Sequence, residues 1–208
     1  MRRNGEETKR RIRTTAASLF MVRGFHGTSI RMIAAEADVN IAHVSYHFGG
    51  KQGLLENIVT DFLEGYLAVL ESNPIEEEEE LRLIHVVHSL LNYQQDHHQE
   101  ARFVLREMTI DSTLMREVMT TYLQKERYIL HELLDESSGQ RVNNKEPDEW
   151  DVLQLRSMLT MPFLHPEYIR EVFHLEPRSQ LFLKQYTAYI RRYLEESGLL
   201  QKRSSYKV

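Results

Sequence analysis

The 208-residue chain contains no cysteine. That absence excludes a disulfide scaffold and any thiolate zinc site, and it fits a reducing cytoplasm. No window of about eighteen residues is apolar and free of charge, so no segment is expected to cross a membrane. The opening residues, Met1-Arg2-Arg3-Asn4-Gly5-Glu6-Glu7, lack the apolar run of a secretory signal. No stretch alternates polar and apolar residues as a strand would, and no cofactor motif is present. These absences predict a cytoplasmic, all-α protein without metal or cofactor.

What the chain does have is a real core and an uneven charge. Apolar residues make up 41% of it, which argues against disorder. The net charge of −5 hides a polarity. Residues 1–51 carry nine Lys and Arg against four acids, a balance of +5. The remainder is therefore −10. A basic head on an acidic body is the footprint expected when one end meets phosphate.

Apolar spacing reads as a series of helices. Ile12, Ala16, Leu19 and Phe20 lie on one face of a helix over 8–23, which Gly24 stops. Ile30, Ile33, Ala34 and Ala37 define a second, shorter helix behind the capping residues Thr28 and Ser29. Asp38-Val39-Asn40 forms a turn, and a third helix follows over roughly 41–46. Gly49-Gly50 breaks it, and a long fourth helix starts at Lys51 or Gln52. The run 72–80, Ser-Asn-Pro-Ile followed by five glutamates, is an acidic boundary without the glycine-bearing loop of an EF-hand. Beyond it, helices are expected over 79–96, 98–109, 112–136, 149–163, 166–174 and 177–197, with a polar loop at 137–148.

The stretch "NIAHVSYHFGGKQGLLENIV", residues 40–59, concentrates the chemistry. His43 and His47 stand four apart, a spacing that suits metal ligands, yet His43-Val44-Ser45-Tyr46-His47 offers no carboxylate between them. Ser45 as a nucleophile lacks the strand-turn-helix elbow and an acid partner. A helix-turn-helix accounts for more of the pattern, because its last helix lies in the major groove with early side chains at base edges. Val39, Val44 and Phe48 then face the small core. Asn40, His43, Ser45, Tyr46 and His47 face solvent with a full set of hydrogen-bonding groups.

Three runs of residues carry a resemblance. They are Ala16-Ala17-Ser18-Leu19-Phe20 with Gly24-Phe25-His26-Gly27, then Thr28-Ser29-Ile30-Arg31-Met32-Ile33-Ala34-Ala35-Glu36-Ala37-Asp38-Val39, and finally Tyr46-His47-Phe48 with Lys51-Gln52-Gly53-Leu54-Leu55. Over residues 8–60 the chain resembles the DNA-binding domain of the TetR family. The resemblance implies an all-helical homodimer that binds double-stranded DNA. Its helix-turn-helix domain would occupy 1–60, and a dimerisation and effector or partner domain 61–208. It further implies that Tyr46, His47 and Lys51 meet phosphates and that Thr28 donates to one. Asn40 and His43 become candidates for base or backbone contact, with Ser45 nearby. Ala42 stands where the family often has glycine, which bears on close backbone approach.

Over the second part of the chain several histidines and methionines invite a functional reading. His85 and His88 flank an apolar stripe of Leu81, Ile84, Val87 and Leu91, the setting of structural rather than metal-binding histidines. Methionines 108, 115, 119, 158 and 161 read as core filler that would also suit an apolar ligand. Leu181, Phe182, Tyr186, Tyr189, Ile190 and Tyr193, with Leu153, Leu155 and Leu159, are expected to build the dimer's helix bundle.

Leu105-Arg106-Glu107-Met108-Thr109 and Met115-Arg116-Glu117-Val118-Met119 resemble a subgroup of TetR-type proteins in spore-forming bacteria. That resemblance implies nucleoid-associated binding near the chromosome origin and inhibition of the division protein FtsZ during sporulation. Arg102, Arg116 and Glu117 are the partner-binding candidates it suggests. The leading alternative is a repressor answering to a small-molecule effector. An α-helical enzyme is a further alternative, but no convergent acid and base groups are visible for one.

Overall fold

The computed structural model describes residues 2–72, 79–109, 113–137 and 146–200, and all regular structure among them is helical. Eleven α-helices and one π-helical turn follow in order: α1 Arg2–Gly27, α2 Ile30–Glu36, α3 Ile41–Phe48, α4 Lys51–Leu70, α5 Glu79–Asp96, α6 His98–Glu107, α7 Thr113–Val118, the π turn Met119–Leu123, α8 Gln124–Ser137, α9 Glu149–Leu164, α10 Pro166–Phe173 and α11 Gln180–Glu196. The expected all-α class is what the chain adopts. Residues 73–78 of the acidic run and 138–145 of the polar loop lie outside the described residues.

The chain divides into two compact units, Met1–Gly65 with His97–Val118, and Tyr66–Asp96 with Met119–Val208. In the first, α1 packs on α2 and α6, and α2 packs on α3. Ile12, Ala16, Ala17, Ile33, Val44 and Leu54 are buried at its centre. Phe103 of α6 lies 5.6 Å from Phe20 of α1, ring centre to ring centre. An α6 side chain thus completes a core that the sequence places in residues 8–60.

Helix ends follow from local chemistry. Ser29 caps α2 by accepting from the Met32 amide at 3.2 Å, and Asn40 caps α3 by accepting from the Ala42 amide at 2.8 Å. Asp148 and Asp151 form a reciprocal capping box at the start of α9. Ser179 accepts from the Phe182 amide, so α11 starts at Gln180 rather than at 177. The single helix expected over 112–136 is interrupted: α7 gives way to the π turn at Met119-Thr120-Thr121-Tyr122-Leu123 before α8. Two adjacent β-branched threonines lower α-helical propensity at that point.

In the second unit α5 packs against α8, α9 and α11. Gln94 of α5 donates to the Leu159 carbonyl at 2.9 Å, and Gln95 donates to Pro177 and Ser179 carbonyls. Buried amides that would otherwise be costly thereby tie α5 to its neighbours. His88 comes within 3.4 Å of the Thr187 hydroxyl, while Val86, Val87 and Leu90 take the buried face of α5. The expected dimer-bundle residues separate into two groups. Leu155, Leu159, Phe182 and Ile190 are buried within this unit, because helical periodicity turns them toward α5. Leu153, Leu181 and Tyr189 remain exposed on α9 and α11. Tyr186 donates to the Met158 carbonyl at 2.9 Å, and burial pushes its hydroxyl up to about 12.

Candidate nucleic-acid interface

The stretch from Asn40 to Lys51 is held from three sides. Val44 and Phe48 anchor α3 in the core of its unit. Gly49 ends the helix in the left-handed conformation, φ 69°, and its amide returns to the Ser45 carbonyl at 2.9 Å. Gly53, in the first turn of α4, faces the end of α3 so closely that a β-carbon there would clash with the Phe48 carbonyl oxygen. That requirement is invisible to helical periodicity, and only the resemblance flagged the position. Before α3, Asp38 takes a positive φ of 50° in the turn. Arg11 of α1 reaches across to hold it, donating to the carbonyls of Ala37 and Asp38. A left-handed aspartate is tolerable because its short polar side chain fits turn geometry.

On this frame the outward face of α3 is polar and aromatic. Tyr46 is 83% exposed, and His43 and Ser45 are exposed beside it. His47 is half-buried, packing edge-on against Tyr46 at 5.0 Å and lying 6.1 Å from His43. Among the described residues no three His, Cys, Asp or Glu side chains gather as metal ligands would. Asn40 is exposed, but its carbonyl oxygen is committed to the cap, which leaves the Nδ2 amide as its outward group.

Thr28 and Lys51 sit differently from the solvent-facing donors expected of them. Thr28 is 2% exposed, and its hydroxyl donates to the Gly24 carbonyl at 2.9 Å, with the Leu19 carbonyl at 3.3 Å. Gly24 breaks α1 with φ 73° and ψ 162°, so the helix loses intrahelical donors there and Thr28 supplies one. Lys51 Nζ donates to the carbonyls of Phe25 and Thr28, both at 2.9 Å, and stands 4.4 Å above the Phe25 ring. An ammonium has three N–H groups, so one is left to point outward. Lys51→Met is therefore expected to destabilise the head by about 1–3 kcal/mol in urea unfolding, since two carbonyls lose a charged donor.

The basic balance of residues 1–51 is spent unevenly. Arg11 is committed to the turn, and Arg13 pairs with Asp61 at 3.1 Å. Lys9 and Arg10 pair with Glu6 and Glu7 one turn earlier in α1. Arg23 and Arg31 are exposed and have no acidic partner among the described residues. Arg31 lies in the first turn of α2, where helix amides already favour anions.

The partner-binding candidates fall in the first unit. Arg102 is half-buried on α6, and Arg116 and Glu117 are exposed on α7. All three make interactions within the chain.

Comparison with known proteins agrees with this geometry. Residues 12–58 match the model of bacterial regulatory proteins of the tetR family. The chain is 47% identical over 182 residues to a probable HTH-type transcriptional regulator, YttP, of Bacillus subtilis, covering 86% of this chain and 88% of that one. A 40-residue segment is 45% identical to the regulator BetI of Vibrio vulnificus, covering 19% of this chain and 20% of that one. Among solved structures, a putative fatty acid metabolism regulator of Clostridium perfringens superposes with a TM-score of 0.71 at 16% identity, covering 92% of this chain and 100% of that one. The TetR family regulator PfmR of Thermus thermophilus gives 0.66 at 21% identity, covering 87% and 97%. At those identities the structures speak for the fold, while the Bacillus relative speaks for the family. The chain belongs to the TetR family of bacterial regulatory proteins and is a DNA-binding transcriptional regulator of that type.

Proposed function

We propose that the protein acts as a homodimer whose two α3 helices enter successive major grooves of an inverted repeat in double-stranded DNA. The observation that carries this reading is Tyr46, a tyrosine with 83% exposure on a helix whose opposite side, Val44 and Phe48, is buried. An aromatic left in water with neighbours His43, Ser45 and His47 has a polar edge to offer phosphates and bases. In this reading His43 and the Asn40 amide meet bases, and Tyr46, His47 and the third N–H of Lys51 meet the backbone. Thr28 is proposed as a positioning residue that fixes the α1–α2 junction. Arg23 and Arg31 supply charge.

Tyr46→Ala is the test. DNA affinity, measured by anisotropy of a labelled operator duplex, is expected to fall about tenfold, the worth of one good contact. The melting temperature should stay put, because so exposed a ring contributes little to the core. Unchanged affinity would remove α3 from the interface.

A second output, inhibition of FtsZ of the kind implied by the resemblance to the subgroup in spore-forming bacteria, draws support from Arg116 and Glu117, exposed on α7. Charge reversal at these two positions should spare operator binding and abolish any effect on FtsZ polymer sedimentation. Loss of DNA binding in the same variants would count against a separate docking face.

A further inference from the structure

The first unit holds a cleft of about 580 Å³ that the DNA-binding role does not use. Phe20, Met21, Leu55, Leu114 and Met115 give it apolar walls, and Phe25 lines it beside the break at Gly24. Its polar groups come from every wall: His26 from α1, Gln52 from α4, Arg106 and Glu107 from α6, and Thr113 from α7. Two of them bear definite charge, and they are not equivalent. Arg106 is exposed and donates to the Met21 carbonyl at 3.2 Å. Glu107 is half-buried and has no hydrogen-bond or ion-pair partner among the described residues. Burial pushes its carboxyl up, and Arg106 beside it only partly offsets that.

A half-buried carboxylate that accepts no hydrogen bond and is only partly offset by Arg106 carries an unspent cost, and a cation brought to it recovers that cost. The walls suit the rest of such a molecule. Methionine sulfur is polarizable and adapts to irregular apolar shapes, and the face of a phenylalanine ring attracts positive charge. Lys51 already exploits the Phe25 ring in this way. We propose that the cleft binds a small lipophilic organic cation, with its charge against Glu107 and its hydrocarbon part among Met21, Leu55, Leu114 and Met115.

The site also has a route to the reading helix. Phe25 belongs to the cleft, and both its ring and its carbonyl are held by Lys51, the residue that opens α4 directly behind α3. An occupant that shifts Phe25 shifts the Lys51 anchor. This coupling rests on the DNA-binding reading above, whereas the binding site itself does not.

The test uses the full chain with ¹³C-methyl-labelled methionine, titrated with octyltrimethylammonium and, separately, with octanoate. The cation is expected to move the Met21 and Met115 methyl signals saturably while Met158 and Met161 of the other unit stay still. Octanoate should bind at least about tenfold more weakly, and Glu107→Gln should weaken the cation about tenfold. Arg106→Gln should not weaken it. Leu114→Trp, which fills the cleft, should abolish the Met21 response and serves as the second variant if Glu107→Gln lowers the melting temperature. The proposal is overturned if octanoate binds as well, if Glu107→Gln has no effect on the cation, or if Met21 and Met115 do not respond. Saturation with the cation should change operator affinity at least about threefold in the same protein. Moving methyls with no DNA binding in the ligand-free protein would sink the DNA reading instead, and silent methyls with normal DNA binding would sink the cleft.

Discussion

Leu181→Glu combined with Tyr189→Glu is expected to give a folded chain that sediments as a monomer at micromolar concentration and binds its operator at least about a hundredfold more weakly. The two side chains are eight residues apart on α11, hence on one face, and they are 64% and 49% exposed. The other face of the same helix is packed: Phe182, Leu183, Ile190 and Leu194 are buried. Replacing exposed side chains costs the single chain little. Between two copies the same glutamates would be desolvated near their symmetry mates, which is strongly unfavourable. Loss of the dimer then separates two half-site contacts that otherwise reinforce one another, an effect of about 10²–10⁴ without any change in α3. A variant that still sediments as a dimer would show that α11 is not the interface. A true monomer with undiminished affinity would refute the two-half-site arrangement.

Phe103→Ala is expected to act in the opposite manner, through stability and not through contact. The ring is 1% exposed and packs on Phe20, so its removal leaves a cavity at a cost of about 3–5 kcal/mol. Domains have only about 5–15 kcal/mol in hand. The urea midpoint should therefore fall steeply, and operator binding should fail at a lower temperature than in the parent chain. Read together, Tyr46→Ala and Phe103→Ala separate the two roles. One loses DNA at constant melting temperature, and the other loses melting temperature first. If Phe103→Ala left the unfolding midpoint unchanged, α6 would have no part in the head's core.

That contrast also marks where sequence reading succeeds and stops. The helices over 12–59 were legible because Ile12, Ala16, Phe20, Ile33, Val44 and Phe48 recur at helical spacing and local caps surround them. The outward set on α3 was legible for the same reason, since the buried positions leave the others exposed. Periodicity could not say where α6 would pack, because Phe103 meets Phe20 across more than eighty residues of chain. Nor could it say which donors would stay free. Lys51 and Arg11 are exposed types by composition, but the carbonyls of Phe25 and Thr28 and those of the Asp38 turn draw their charges inward. The same limit explains why Leu155 and Phe182 read as interface residues. They are apolar and periodic, and only the position of α5 decides that they face their own core.

The close seat of Gly53 against the end of α3 has a mechanical consequence. Most helix–helix joints carry a layer of side chains that can change rotamer and absorb small displacements. At Gly53 this joint is main chain against main chain, with no side chain between to serve as such a cushion. A tilt of the first turn of α4 would press directly on the last residue of the reading helix. Regulation built on such a hinge would act on the spacing and pitch of the two readers, leaving the chemistry of each reading face untouched.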